Sequence, residues 1–476
     1  MKDVLLSVGI DVGTSTSQVV FSDITIEDLS SGFAVPRVEI VGKQIIYRSE
    51  IHFTPLTSPT TIDAAALRDL VTLEYRLAGI DPHAVKTGAV VITGETARKE
   101  NADEVARYLS DLAGDFVVAT AGPTLESVLA GRGAGADVRS RELSAPVANY
   151  DIGGGTSNFV LFEHGEPIAA SCLDIGGRLI RVDRSRGVIT YIADKIAALC
   201  ASKGIALRVG DRADVAVLRQ VCTAMCEILE MSLGLVPKSA LYPSMLTEAG
   251  NDVVLPRPLG HLMFSGGVAD CMLVPNDDVF VYGDIGMLLG QAVRESAALA
   301  RVPQLPATET IRATVVGAGT HITKLSGSTI EYDPELLPVK NVPALKLTQQ
   351  EEATPAAMGQ AIRSRLDWFA TDGSAHPVAI AFEGPAVPSF TAVQGIADAI
   401  VDAMAPATAK GVPTIVVTER DLAKVLGQSI RMKAPAGHGF ICIDGISMRG
   451  GDYVDIGAPA AGGTVLPVVV KTLVFH

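Results

Sequence analysis

Two stretches of the chain place an aspartate, glycines and hydroxyl residues between apolar runs. Ser7 to Phe21 reads SVGIDVGTSTSQVVF, and Ala148 to Phe162 reads ANYDIGGGTSNFVLF. Glycine loses more backbone entropy on folding than other residues, so glycines clustered in apolar sequence indicate a ligand that comes close to the main chain. Apolar, β-branched or aromatic residues follow both loops, which predicts a loop at the tip of a β-hairpin in each case.

The composition of these loops is suited to phosphate. Successive glycine N–H groups at a hairpin tip point toward an anion, and hydroxyl side chains add hydrogen-bond donors. An aspartate would repel a bare phosphate, whereas Asp11 and Asp151 fit as direct or water-mediated ligands of a Mg²⁺ ion that neutralises a nucleotide's phosphates. One loop alone is equally consistent with a tight turn, but two in the same register favour nucleotide binding. The candidate nucleotide-binding residues of the loops are Gly13, Thr14, Ser15, Gly153, Gly154, Gly155, Thr156 and Ser157.

A third glycine element follows later in the chain. Residues 259–269 read LGHLMFSGGVA, which places Gly266 and Gly267 directly after an apolar run. At such a strand end the backbone can lie flat against a nucleoside. Gly-Gly pairs also serve simply to turn the chain, so the argument rests on the position of this pair after the two hairpins.

The composition limits the class of protein. The chain has 476 residues, is 48% hydrophobic, and carries 53 acidic against 39 basic residues, for a formal charge of −14. This excess of negative charge repels phosphate backbones and anionic membranes, so we expect no nucleic acid and no membrane as partner. The six cysteines form no disulfide framework or C-x-x-C pair, and the opening MKDVLLSVGID has no basic region before its apolar run. We therefore expect a soluble, cytoplasmic protein.

Apolar runs of strand length alternate with stretches of helical period, which is typical of an α/β protein. The apolar spacing over 215–232 predicts a helix that buries Cys222 and Cys226 in the core, with metal binding by this pair as the minor alternative. Asn101 is a good N-cap and predicts a second helix. A strand DFVVAT and a helix PTLESVLAG, opened by Pro123, follow it.

The stretch VPQLPATET near 302–310 has the composition of a linker and predicts a domain boundary. We expect a first lobe over 1–150, a second lobe over 151–305, and a C-terminal α/β unit over 306–476 in which partner docking is the favoured role. Within that unit PVAIAF, PTIVVT and LPVVVKTLVF predict strands, and 389–404 and the stretch from Asp421 predict helices. The glycine-rich stretches VVGAGTHITKLSGSTI and DGISMRGGDYVDIGAPAAGG predict hairpins and edge strands.

These elements resemble, in order, those of the superfamily that joins sugar kinases, heat-shock chaperones and actin. GIDVGTST is similar to its first phosphate motif, YDIGGGTSNF to the second, and MFSGGVA to its adenosine motif. TAGPTLESVLAG and YGDIGMLLGQAV are similar to its two connecting helices. The resemblance covers residues 1 to about 300. It implies a two-lobed actin-like (ribonuclease H-like) ATPase core that uses ATP or ADP and Mg²⁺.

The sequence departs from that superfamily near the expected catalytic carboxylate. Gly122 stands where the chaperones carry a carboxylate, so we assign the orientation of the attacking water to Glu126, about one turn further along the helix. A solvated helix glutamate is the alternative. Asn158 replaces a chaperone aspartate in the second hairpin, and Asp11 and Asp151 complete the catalytic set. These changes indicate slow hydrolysis, which suits a switch.

Within the superfamily the chain resembles the reactivating factors of ethanolamine ammonia-lyase, the EutA family of ethanolamine utilization proteins. The stretches AVVITGETARKENADEV, TAGPTLESVLAGRGAGA and DGISMRGGDYVDIGAPAAGGTVLPVVVKTLVF carry this resemblance across nearly the whole chain. It implies a chaperone-like ATPase that releases damaged cobalamin from ethanolamine ammonia-lyase so that adenosylcobalamin can rebind. Homo-oligomerisation and association with an ethanolamine-utilizing bacterial microcompartment stay open.

Two other functions remain as alternatives, a small-molecule kinase of the same fold and an actin-like cytoskeletal ATPase. The sequence shows no recognisable sugar-kinase base motif. The stretch DPHAVK carries Lys86 where the cobalamin-ligating motif Asp-x-His-x-x-Gly requires glycine, and the other histidines lack close metal-ligand spacing. We therefore expect no zinc, haem or tight corrinoid site. For Glu95, Arg98 and Lys99 in GETARKEN we expect a solvated helix start.

Overall fold

The computed structural model describes most of the chain: residues 2–13, 16–28, 38–58, 61–92, 101, 105, 109, 123–247, 250, 252–253, 255, 258–274, 276–321, 324–326, 329–369 and 376–472. The predicted strand over 115–120 lies outside the described residues. The same holds for Glu95, Arg98 and Lys99, and for most of the helix predicted from Asn101.

The first lobe is built on a five-stranded sheet with the order β3-β2-β1-β7, in which β4 also pairs with β2. β1 and β2 are antiparallel over their whole length, and β7 runs parallel to β1. Helix α1 covers one face, where Leu67, Val71 and Tyr75 pack on Ile10 and Phe21. The elements that precede the second sheet in the chain are β1 Lys2–Val12, β2 Thr16–Asp28, β3 Val38–Arg48, β4 His52–Phe53, β5 Leu56–Ser58, β6 Thr61–Ile62, α1 Ala64–Ala78, β7 Thr87–Ile92, α2 Pro123–Ala134 and α3 Ala136–Glu142. The last two of these helices pack on the second sheet.

The second lobe repeats this arrangement with a four-stranded sheet in the order β10-β9-β8-β13. Here β8 and β9 are antiparallel, and β13 runs parallel to β8. Helix α5 confirms the prediction over 215–232, and it buries both Cys222 and Cys226 in the core of this lobe. The elements are β8 Val147–Ile152, β9 Ser157–Glu163, β10 Glu166–Leu173, β11 Ile180–Asp183, β12 Val188–Ile192, α4 Asp194–Ser202, α5 Val215–Ser232, α6 Tyr242–Met245, β13 His261–Ser265, α7 Gly267–Leu273 and α8 Gly286–Glu295.

Two helices cross between the lobes. Helix α2 packs on strands β8, β9 and β10 of the second sheet, whereas α9, Ala313–His321, packs on β1, β2 and β7 of the first. The two helices also pack on each other at very close range, since a Cβ added at Gly317 would lie 2.0 Å from the carbonyl oxygen of Leu129. A Cβ at Gly9 of β1 would lie 2.4 Å from the carbonyl oxygen of Val315. Only glycine allows this approach of one backbone to another.

Helix α9 corrects two sequence-based predictions. The stretch VVGAGTHITKLSGSTI was predicted to form hairpins and edge strands, and this is wrong for its first half, which is helical. The helix in YGDIGMLLGQAV is α8, which packs on α5 and α7 within the second lobe. The helix that crosses with α2 is therefore α9, and it lies on the C-terminal side of the predicted boundary at 305.

The C-terminal unit contains an eight-stranded sheet with the order β14-β21-β20-β16-β17-β18-β19-β15, whose strands β16 to β19 are parallel. Helices α11, α12 and α13 cover one face. The strands and helices predicted over 377–433 are confirmed, as is the last predicted strand up to Thr472. The predicted hairpin after Asp444 exists, but its strand β20 pairs on both sides and is not an edge strand. The elements are β14 Lys324–Ser326, β15 Glu331–Tyr332, β16 Val339–Lys346, α10 Gln349–Glu352, α11 Pro355–Leu366, β17 Ala379–Phe382, α12 Phe390–Thr408, β18 Thr414–Thr418, α13 Ala423–Lys433, β19 Phe440–Ile443, β20 Asp452–Ile456 and β21 Leu466–Thr472.

This unit contacts the first lobe near the beginning of β1. The backbone N–H of Ala461 donates to Oδ2 of Asp3 over 3.1 Å. Ala461 and Val465 also pack on Leu5 and Ile24. In the described part of the chain no helix is long and apolar enough to cross a membrane.

Candidate functional site

A cleft of about 800 Å³ lies where the two lobes face each other. Both predicted hairpins exist, and their loops line this cleft from opposite sides. The predicted site residues that line it are Asp11, Gly13, Glu126, Asp151, Gly153, Gly154, Gly155, Thr156, Gly266 and Gly267. Residues far apart in sequence therefore meet at one surface, as the order of the motifs indicates.

The two hairpins have the same local geometry. The N–H of Gly13 donates to the carbonyl of Thr16, and the N–H of Gly153 donates to the carbonyl of Thr156, in both cases over 2.9 Å. The strand register pairs Asp11 with Gln18 and Asp151 with Asn158. Each loop thus places an aspartate at the end of one strand and a carboxamide directly opposite it.

The second loop rests on the segment 176–178. The N–H groups of Gly177 and Arg178 donate to the carbonyls of Gly153 and Gly154 over 3.0 and 2.7 Å. A Cβ at Gly176 would lie 2.4 Å from the carbonyl oxygen of Gly154. The packing of the two segments therefore requires glycine at position 176, while Gly177 also lines the cleft.

Thr54, the residue after β4, contacts the first loop. The hydroxyl of Thr54 donates to the carbonyl of Gly13 over 2.7 Å, and it lies 3.0 Å from Oγ of Ser17. Phe53, next to Thr54, lines the cleft with an exposed ring. The carbonyl of Gly13 is thus bound by a side chain of its own lobe.

Asp151 has a well-defined environment. Its Oδ1 accepts a hydrogen bond of 2.7 Å from Ser265, and its Oδ2 accepts one of 3.4 Å from Thr314 at the start of α9. Asn149 in turn donates to Ser265 over 2.9 Å. Burial raises the pKa of Asp151 to about 6, against the smaller opposing effect of these hydrogen bonds. A bound cation would favour the ionised form of such a carboxylate.

Glu126 lies on α2 and lines the cleft, although only 7% of its surface is exposed. Its Oε1 accepts a hydrogen bond of 2.8 Å from Nδ2 of Asn158. The alternative that this residue is a solvated helix glutamate is therefore wrong. Its carboxyl group lies on the same side of the cleft as the second hairpin.

The Gly-Gly pair follows β13 as predicted. Gly266 has a φ of +85°, and its N–H donates to the carbonyl of Thr310 over 3.0 Å. A Cβ at this position would lie 2.5 Å from the carbonyl oxygen of Ile152. Both the backbone conformation and the close approach require glycine here.

Thr14 and Ser15 lie outside the described residues. Of the predicted site residues that the structure describes, one does not line the cleft. The prediction that Ser157 binds the nucleotide is wrong, because its side chain is buried and its hydroxyl donates to the carbonyl of Ile175 over 2.8 Å. Side chains alternate along a strand, so Thr156 faces the cleft and Ser157 faces the interior of the lobe.

Other cleft residues were missed in the sequence. They include Gln18, Arg178, Asp270, Asp284 and Thr314, together with the segments 183–185 and 281–283. Burial lowers the pKa of Arg178 and raises that of Asp284, and the two side chains are 3.9 Å apart. Among the described residues, no group of three or more His, Cys, Asp or Glu side chains is placed to hold a metal ion.

The repeated sheet, the crossed helices and the matched hairpin loops define a two-lobed protein of the actin-like (ribonuclease H-like) fold, extended by a C-terminal α/β unit. A Ppx/GppA family member from Aquifex aeolicus is a structural neighbour at 14% identity, with a TM-score of 0.40 over 66% of this chain and 97% of its own. This TM-score is too low to support an assignment, so the fold class rests on the strand order described above.

The chain belongs to the EutA family: the model of that family, described as ethanolamine utilisation protein EutA, matches residues 3–476. Ethanolamine ammonia-lyase reactivase EutA of Escherichia coli (strain K12) is 37% identical to it over 479 residues, which is 99% of this chain and 98% of the relative. The protein of the same name from Salmonella typhimurium is 36% identical over the same shares of both chains.

Proposed function

We propose that this protein is an ATP- and Mg²⁺-dependent reactivating factor that releases damaged cobalamin from ethanolamine ammonia-lyase, so that adenosylcobalamin can rebind. The observation that carries the proposal is the similarity along the whole chain to two ethanolamine ammonia-lyase reactivases. The cleft between the lobes supports it, because its lining offers what a nucleotide requires. Gly13 of the first loop and Gly154, Gly155 and Thr156 of the second line it from two sides, and glycine-rich loops of this kind suit an anion.

The residues present fit a magnesium ion at the phosphate end of the cleft. Asp11 and Asp151 both line it with 8% of their surface exposed, and Oε1 of Gln18 is a buried acceptor without a partner among the described residues. Asp11 and Asp151 would hold the ion directly or through water. Mg²⁺ keeps several of its waters, so phosphate oxygens and water supply the other ligands. When bound, the ion neutralises the charge of the phosphates.

Glu126 is suited to orient the water that attacks the terminal phosphate. Its carboxylate faces the cleft, and the hydrogen bond from Asn158 fixes its rotamer. An amide donor at this position stabilises the ionised glutamate but supplies no second negative charge. We therefore expect hydrolysis to be slow, which leaves the protein in its nucleotide-bound state long enough to act on a partner.

A nucleotide in this cleft would bind both lobes at once. Its phosphates would contact both hairpins, and its nucleoside would lie against Gly266 and Gly267. Exchange or hydrolysis would then change how the lobes are held about α2 and α9. No described residue of the C-terminal unit from β14 onward lines this cleft. We assign the docking of the lyase to this unit.

Reactivation of the inactive enzyme tests the proposal. Ethanolamine ammonia-lyase is inactivated with a cobalamin that lacks the adenosyl group, and the protein, Mg²⁺, ATP and fresh adenosylcobalamin are added. Acetaldehyde release should recover with ATP but not without it, and Asp11→Asn should abolish the recovery. Asp252→Asn, which changes an exposed aspartate of the second lobe, is the matched control. If the wild-type protein binds ATP and the lyase stays inactive, the reactivating function is overturned.

A further inference from the structure

Gln18 is buried at the cleft, and its amide oxygen has no partner among the residues that the structure describes. It lies on β2 directly opposite Asp11, lines the cleft and has 2% of its surface exposed. Its Nε2 donates to the carbonyl of Ile311 over 3.2 Å, while its Oε1 has no hydrogen-bond partner among the described residues. A buried acceptor without a partner is unfavourable, so such an atom at a binding cleft indicates a donor supplied by the ligand.

Asn158 is the counterpart of Gln18 in the second hairpin. It is opposite Asp151, is equally buried, and its Oδ1 also lacks a partner among the described residues. The two carboxamides differ in where their N–H groups go. Asn158 donates to Glu126, which lines the cleft in its place, whereas Gln18 lines the cleft itself. Both loops therefore carry a buried carboxamide, but only that of the first lobe lines the cleft, whereas a carboxylate lines it in the second lobe.

The chemistry of Oε1 selects the kind of group that it binds. An amide oxygen accepts hydrogen bonds and donates none. The oxygens of a nucleotide's phosphates are also acceptors, so they would not pair with it. The contact with Ile311 holds the amide group in this orientation, because a flip would place two acceptor oxygens together. The donors available beside Asp11 are the waters that Mg²⁺ retains when it binds a nucleotide.

We propose that Gln18 is a positioning residue whose Oε1 accepts a hydrogen bond from a water bound to the Mg²⁺ ion of the nucleotide complex. This inference rests on the proposed function in one respect, namely that a Mg²⁺-nucleotide complex occupies the cleft. In this role Gln18 would orient the water molecules of the metal relative to Asp11. It would make no direct contact with the phosphates.

The test measures the affinity of the full-length protein for AMPPNP at increasing Mg²⁺ concentration by isothermal titration calorimetry. Gln18→Met keeps the length of the side chain and removes the acceptor. We expect it to raise the half-saturating Mg²⁺ concentration about tenfold, the effect of one charge-assisted hydrogen bond, and to leave the affinity measured in EDTA unchanged. Ser22→Ala, at a buried hydroxyl on the same strand, is the control and should match the wild type.

Gln18→Glu keeps an acceptor toward the metal and adds a charge, although its carboxylate no longer donates to the carbonyl of Ile311. It should still require less Mg²⁺ for half-saturation than the wild type. If Gln18→Met does not fold, Gln18→Glu alone tests whether the side chain at position 18 affects the binding of Mg²⁺. The inference is overturned if the folded variants have the Mg²⁺ dependence of the wild type, or if the affinity in EDTA falls as much as the affinity in Mg²⁺. Absence of AMPPNP binding by the wild-type protein would instead overturn the proposed nucleotide site.

Discussion

Gly133 of α2 and Ala313 of α9 are in direct backbone contact, since a Cβ added at Gly133 would lie 1.9 Å from the carbonyl oxygen of Ala313. The contact lies where the two crossing helices meet, and Thr314, the next residue of α9, donates to Asp151. Two neighbouring residues of α9 therefore have different contacts: Ala313 limits the distance between the helices, and Thr314 contacts the aspartate at the cleft.

Gly133→Ala should reduce the free energy of unfolding by about 1–3 kcal/mol, because the added methyl group pushes the helices apart. Urea unfolding of the protein without nucleotide measures this. Gly450→Ala is the matched control, since a Cβ there would meet nothing within 4 Å and should change stability by less than about 1 kcal/mol. Equal stability of the two variants would contradict the close helix contact.

Glu126→Gln should lower kcat for ATP hydrolysis by roughly 10²–10⁴-fold, because the amide does not accept the proton of the attacking water. The affinity for ATP should remain close to that of the wild type, since the change is nearly isosteric. Single-turnover hydrolysis and equilibrium binding separate these two effects. Glu142→Gln, at a half-exposed glutamate of the adjacent α3, should have no effect. Unchanged hydrolysis in Glu126→Gln would exclude the assigned role.

The buried Asp151 should make the stability of the nucleotide-free protein depend on pH. Its pKa rises from 3.8 to about 6 on folding, so between these values the folded state holds a proton that the unfolded state has lost. The free energy of unfolding should therefore fall as the pH rises from 4 to 6, by on the order of 2–3 kcal/mol.

Asp151→Asn does not titrate and should lack this fall. Urea unfolding of both proteins between pH 4 and pH 7 provides the comparison, with Asp252→Asn as the control at an exposed aspartate. If wild type and Asp151→Asn have the same pH dependence, the carboxyl group of Asp151 is not desolvated in the folded protein.

Two truncations should separate the cleft from the C-terminal unit. A chain that ends at residue 321 keeps α9 and should bind nucleotide while failing to reactivate the lyase. A chain that ends at residue 305 loses Thr314 and the carbonyl of Ile311, which contact Asp151 and Gln18, and should lose nucleotide binding as well. Nucleotide binding by the shorter chain would show that α9 is dispensable for the site.

The hairpins and α5 were predictable because local sequence determines them. Alternation of apolar residues and the glycines at the tips suffice for the hairpins, and the 3.6-residue period suffices for α5. Helix α9 was not predictable in this way. Gly317 and Gly319 disfavour a helix by roughly 1 kcal/mol each, and the compensating contacts with Leu129 and Gly9 are distant in sequence.

The candidate site shows the same division. The aspartates and loop glycines were found from their spacing, and Gln18 could have been found by aligning DVGTSTSQ with DIGGGTSN, where Gln18 and Asn158 correspond. The hydrogen bond between Asp151 and Thr314 joins residues 163 positions apart. No local pattern encodes such a pair, because the crossing of the helices brings it together.

Strand β1 links the cleft to the C-terminal unit. Asp11 near one end lines the cleft, and Asp3 near the other end accepts the hydrogen bond from Ala461. The two residues are about 26 Å apart along an extended strand, and β2 and β7 flank the part of it next to the cleft. Because a strand paired on both sides resists stretching, we expect a movement of Asp11 along the axis of β1 to reach Asp3, where the C-terminal unit is attached.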